Sequence, residues 1–149
     1  MALAHSPYII DVEASGFGPH SYPIEIGVAL DDDERYSTLV RPGTDWTHWD
    51  ESAQAVHGIP RATLLRHGKP CREVARQLNE LLDNTTVYSD GWVVDRPWLT
   101  TLYYAAGLEM SFRVSPLELI LSEPQMDAWH RTKAQIIEER DAVRHRASE

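Results

Sequence analysis

Pro7-Tyr8-Ile9-Ile10-Asp11-Val12-Glu13 is the stretch from which the rest of the chain can be read. Tyr8 to Val12 is rich in β-branched and aromatic residues, which suit the pleated, half-buried surface of a strand. Side chains alternate across a strand, so Asp11 and Glu13 share one face. Two neighbouring carboxylates repel each other, and poor solvation favours keeping one of them protonated. A divalent cation removes that penalty, and hard carboxylate oxygens suit magnesium or manganese. The pattern alone is weak. The same spacing recurs at Asp32 and Glu34, in a stretch that reads as a hairpin turn, and a solvated edge strand carries such acids equally well. The remaining sequence has to separate the two.

The 149 residues suit a single domain, 1–149, with one sizeable core. A 42% hydrophobic content with five tryptophans belongs to a folded globule. No apolar run is long enough to span a bilayer. Met1 to His5 lacks the basic and then apolar form of a secretory signal. A cytoplasmic protein with no membrane partner is therefore expected. Cys71 is the only cysteine, which excludes an internal disulfide and fits a reducing compartment. The net charge of −9 excludes a protein that coats nucleic acid through long-range attraction. It leaves room for one that grips a short strand end with the help of bound metal. Arg131, Lys133, Arg140, Arg144 and Arg146 make the C-terminal part locally basic, and they read equally well as a solvated helix face.

Outward from the first strand, Ala14 to His20 is turn-rich. Tyr22 to Leu30 and Arg35 to Val40 alternate as strands, with Ile24, Ile26 and Val28 on one face of the former, so the N-terminal part reads as an antiparallel meander. The period then changes. Asp50 to Val56 reads as a short helix ending near Gly58, Pro60 opens another with Leu64 and Leu65 as its apolar contacts, and Glu73 to Asp83 is amphipathic. Thr85 to Ser89 is a short strand, expected to be parallel because a helix precedes it. Trp98 to Ala106 reads as a helix closing at Gly107, Ser111 to Val114 as a strand, Ser115 to Glu118 as a capping box opening a helix to Leu121, and Gln125 to Val143 as a long helix. The order implies an α/β fold, a mixed sheet with antiparallel and parallel strands flanked by helices. Active residues in such sheets gather at strand ends.

Four blocks stand in order along this framework: Asp11-x-Glu13 followed by Ser15-Gly16 and Ile24-Glu25-Ile26-Gly27; Val56-His57-Gly58-Ile59; Ser89-Asp90-Gly91-Trp92-Val93-Val94-Asp95; and His145-Arg146-Ala147-Ser148-Glu149. In order and spacing the chain resembles the DEDDh 3′–5′ exonuclease family, with its DnaQ-like, RNase H-like fold. The resemblance implies that Asp11, Glu13 and Asp95 are metal-binding acids and catalytic, with His145 as general base. It implies two Mg2+ or Mn2+ ions as cofactors. It places Ala14, Ser15, Gly16, Phe17, His57 and Asp90 around the substrate, with main-chain groups from Ala14 to Phe17 positioning the terminal nucleotide. Asp90 falls where the family often has Asn and is expected beside the ligands, not among them. The activity implied is metal-dependent 3′–5′ exonucleolytic hydrolysis of phosphodiester bonds at single-stranded DNA or RNA 3′ ends, releasing nucleoside 5′-monophosphates. A homodimer is allowed and not required.

The chemistry asks for such a set on its own terms. Two divalent ions can activate a water and stabilise the leaving oxyanion in an in-line displacement. Several carboxylates must hold the ions, and a histidine can accept the proton of the attacking water. Taken alone, Asp95 before Arg96-Pro97 reads as a helix N-cap, and His145 as a solvated histidine; the other blocks reverse both readings. His57 reads as a structural loop residue when taken alone. Trp46, Trp49 and Trp92 can stack bases or fill the core. The family's fourth acid belongs five residues after His145, at position 150. Either it follows Glu149, or Glu149 replaces it, or the chain is a catalytically degenerate module that keeps the fold to bind nucleic acid or a protein partner.

Overall fold

The computed structural model describes residues 7–31 and 34–147, with side chains described up to residue 135. The chain divides into two compact units, Met1–Pro116 and Leu117–Glu149. In the first unit, β1 (Ile9–Ala14), β2 (Pro23–Ala29) and β3 (Arg35–Leu39) form an antiparallel meander. β4 (Thr86–Ser89) lies parallel to β1, and β5 (Arg113–Pro116) parallel to β4. The strand order is β3-β2-β1-β4-β5, the mixed sheet of an RNase H-like fold. Its helices are α1 (Glu51–His57), α2 (Arg61–His67), α3 (Cys71–Leu82) and α4 (Trp92–Ala106). The second unit holds a 3-10 turn, Leu117–Leu119, and the long helix α5 (Glu123–Ala147).

Alternation along β1 does the sorting that its sequence implies. Ile10, Val12 and Ala14 are buried, whereas Asp11 and Glu13 are half-buried on the opposite face. The apolar side meets Val74, Ala75 and Leu78 of α3 and Leu99, Leu102 and Ala106 of α4 in one core. The Tyr103 hydroxyl ties the two helices together. It lies 3.0 Å from the Ala75 carbonyl and 2.8 Å from Asn79 Oδ1, and burial pushes its pKa up.

A second cluster gathers Tyr22, Ile24, Ile59 and Leu64, with Trp46 and Trp49 packed against it. Ile24 was expected to share a face with Ile26 and Val28, yet it packs here. The β1–β2 register shifts between Glu13 and Ala14, which pair with Glu25 and Pro23, and so skips Ile24. Leu64 is fully buried, while Leu65 is 46% exposed and is not the second contact expected of α2.

Most boundaries shift by a few residues from the sequence reading, and two of the differences change what an element does. α4 begins at Trp92 with Gly91 as its N-cap, six residues before Trp98, and carries Pro97 inside its second turn. Asp95 is therefore a helical residue and not the cap. Ser115 and Pro116, expected to open a helix, instead pair with Tyr88 and Ser89 as the end of β5. The parallel ladder satisfies backbone groups that a capping box would have used. Among the described residues no helix is long and apolar enough to cross a membrane.

Leu102 is fully buried between α3 and the sheet. Leu102→Ala is expected to lower unfolding stability by about 2–5 kcal/mol through the cavity left behind. Urea denaturation checks this: the midpoint falls while the slope is unchanged.

Candidate active site

The parallel pairing of β1 with β4, Ile9 opposite Tyr88, brings the two strands' C-terminal ends together. Asp11 lies on β1, Asp90 just beyond β4, and Asp95 on the first turns of α4. One carboxylate oxygen from each lies within 4.8 Å of the others. Asp95 is buried, and Asp11 and Asp90 are half-buried. Ser89 is fully buried behind them. Its hydroxyl donates to Asp95 Oδ2 at 2.7 Å and accepts the Gly91 N–H at 3.0 Å. This small network fixes the Asp95 carboxylate against the strand-to-helix turn.

The donor set fits a hard divalent cation. Opposite ligands around Mg2+ are about 4.2 Å apart, twice the Mg–O distance, so oxygens within 4.8 Å reach a shared ion by small rotations. Three convergent carboxylates also repel strongly without a cation between them. Asp90 thus belongs to the cluster itself, where the sequence reading had put it beside the ligands. The cue was its place at the end of a parallel strand, one of the positions at which such sheets assemble their sites. Glu13 shares Asp11's face of β1 and stands opposite the buried Glu25 in the β1–β2 register. Among the described residues it is outside the three-acid group. His145 lies in α5 beyond the last described side chain.

Beside Glu13 is a pocket of about 350 Å3. Ala14, Gly16, Phe17 and His57, all expected around the substrate, line it, together with Val56 and Trp98, which the sequence reading did not assign to the site. Phe17 and Val56 are 72% and 80% exposed, so the pocket carries an open apolar rim. The Phe17 and Trp98 rings sit 6.0 Å apart. Trp98 follows Asp95 by three residues and so falls on the same side of α4, a spacing from which it could have been found. A larger hollow of about 460 Å3, bordered by His20, Asp45, Trp46 and His48, contains none of the acids.

The loop after β1 is held by its own chain. Ser15 is fully buried. Its N–H bonds the Tyr22 carbonyl at 3.0 Å, and its carbonyl accepts the Asp50 N–H at 3.0 Å. Its Oγ accepts the Tyr22 N–H at 3.1 Å and lies 2.9 Å from His48 Nδ1. Ser15, expected to touch substrate, is therefore occupied in shaping the loop. Gly16 is required there. Its φ is +158°, and a Cβ would lie 2.7 Å from Asp50 Cβ and 2.9 Å from His48 Cε1. Asp50 also caps α1, accepting from the Ser52 side chain and backbone at 2.6 and 2.9 Å. These bonds hold its carboxyl below the usual carboxylate range. The cap is thus complete above the ordinary value of 3.8 and weakens as pH falls through the lower folded-state value. His57 Nδ1 accepts the Ile59 N–H at 3.0 Å, which closes the turn at Gly58.

No protein-family model matches this chain, and no curated protein sequence matches it. Solved structures do. Escherichia coli exonuclease I in complex with a dT13 oligonucleotide matches with a TM-score of 0.62 at 14% identity over 74% of this chain. Exonuclease I of Methylocaldum szegediense matches with a TM-score of 0.61 at 15% identity over 74%. A product-bound exonuclease I matches with a TM-score of 0.62 at 15% identity over 74%. The chain spans 27–29% of the length of these proteins. It shares the fold of exonuclease I, the RNase H-like mixed sheet flanked by helices.

Ser89→Ala removes the hydroxyl that orients Asp95 and is expected to weaken Mn2+ binding by about tenfold or more. Titration calorimetry with Mn2+ measures it. Unchanged affinity in a folded variant would show that Asp95 does not need this support.

Proposed function

We propose that this chain is a metal-dependent 3′–5′ exonuclease acting on single-stranded nucleic-acid ends and releasing nucleoside 5′-monophosphates. The observation that carries the reading is the convergence of Asp11, Asp90 and Asp95, with Glu13, next to Asp11 on the same face of β1, lining an aromatic-rimmed pocket of about 350 Å3. Oligonucleotide complexes of the exonuclease I neighbours support single-stranded DNA as the substrate class.

In this reading Asp11, Asp90 and Asp95, with Glu13 from the same face of β1, hold Mg2+ or Mn2+. Two such ions supply charge stabilisation for the phosphodiester and lower the pKa of an attacking water. Phe17, Val56 and Trp98 pack the terminal base, which needs a flat apolar surface and no particular hydrogen-bond pattern. The rigid loop at Ser15 and Gly16 keeps that base fixed relative to the acids, and a site held this firmly aligns the scissile bond without reorganisation. His145 accepts the proton of the attacking water. The strand's negative charge is met locally at the acids, which lets a chain of net charge −9 act on nucleic acid.

Asp11→Ala is expected to reduce mononucleotide release from a labelled single-stranded oligonucleotide by at least a hundredfold, with far-UV circular dichroism unchanged. Wild-type activity in that variant sinks the assignment. Oligonucleotide binding by the wild-type chain with no release in Mn2+ marks it instead as a non-catalytic module.

A further inference from the structure

The end of the sheet offers a path on the other side of the acids. The aromatic pocket is lined by β1, the loop leading to β2, α1 and Trp98 of α4, and the acids lie across β1, the end of β4 and the start of α4. Beyond them, towards β5, the Trp92 indole donates its Nε1–H to the Val114 carbonyl at 3.0 Å. One helical turn later, the Arg96 guanidinium lies over that ring, 6.0 Å from its centroid. Arg96 is exposed and takes part in none of the ion pairs among the described residues. Val93, beside it on the first turn of α4, is 78% exposed.

We infer that Trp92 and Arg96 form the subsite for the nucleotide immediately 5′ to the bond that is cut. The inference rests on the exonuclease reading and adds the direction of the strand. A scissile phosphate lies between the terminal nucleotide and its neighbour. With the terminal nucleotide in the Phe17–Trp98 pocket and the phosphate at the acids, the neighbour falls on the β5 side, where Trp92 and Arg96 stand. Their chemistry suits it. A guanidinium is a planar fork that pairs with phosphate oxygens and also stacks on a base. Trp92 orients it through the cation–π contact and is itself anchored to β5. In a chain of net charge −9, an exposed arginine that joins no ion pair among the described residues, one position after Asp95, also favours approach from this side. The subsite makes the site prefer an oligomer to a mononucleotide.

Binding of a fluorescein-labelled dT8 strand, followed by anisotropy with calcium replacing magnesium and over a range of salt, tests this. Arg96→Ala is expected to raise Kd about tenfold and to reduce the slope of log affinity against log salt by about 0.7, the value for one phosphate on a single strand. Arg96→Lys keeps the salt slope, because the charge remains. Arg76→Ala removes an exposed arginine on α3, changes net charge equally, and is expected to bind like the wild type. Wild-type affinity and slope in Arg96→Ala, or an equal loss in Arg76→Ala, overturns the subsite while leaving the exonuclease reading standing. A wild-type chain that does not bind dT8 at all refutes that reading and the subsite with it.

Discussion

Three carboxylates within 4.8 Å of one another set the terms for everything around them. Left to themselves they push apart, and burial of Asp95 makes the repulsion worse. Ser89 holds the Asp95 carboxylate in place, but what brings the three together is the sheet. Asp11 and Asp90 are 79 positions apart in sequence and meet only because β4 inserts parallel to β1 at the centre of the sheet. Asp95 arrives because Gly91 starts α4 immediately beyond β4. The core of Ile10, Val12, Val87, Leu99 and Leu102 therefore has a functional consequence: it holds charged groups where their own electrostatics would not place them. A cation entering between such carboxylates would offset their repulsion, which is the physical ground for the proposed metal site.

Around that centre the chain separates rigid from exposed parts. Ser15 and Gly16 are locked by Tyr22, His48 and Asp50, so the loop that frames the pocket has little freedom. Phe17 and Val56 nevertheless stand well exposed at its rim. In the proposed function these exposed apolar groups would gain by stacking a base, because stacking removes that area from water. In that reading the rigid loop would set the base's position and the exposed rim its affinity.

Much of this was legible in the sequence where the signal is local. Alternation in Tyr8 to Val12 placed Asp11 and Glu13 on one face, and the change from period two to helical period separated the meander from the helices. The four blocks in order pointed to the exonuclease fold that the solved structures share. What depends on contacts distant in sequence was harder to read. Asp90 was placed beside the ligands because its position in the motif favours Asn; the parallel β1–β4 pairing brings it to within 4.8 Å of Asp11 and Asp95. Pro97 suggested a late helix start, but Gly91 caps the helix early and the proline is accommodated in its second turn. The Ser115–Glu118 capping pattern lost to pairing with Tyr88 and Ser89, a contact that no local window contains. Ser15, read as a substrate contact because it sits in the motif, is also bonded to Tyr22, His48 and Asp50, contacts that no local window contains.

The proposed metal centre can be tested directly. Crystals grown with MnCl2 and measured at a wavelength where manganese scatters anomalously should show a peak enclosed by Asp11, Asp90 and Asp95. Well-diffracting crystals with the three carboxylates in place and no anomalous peak among them, at millimolar manganese, would contradict the assignment of these acids as a metal centre.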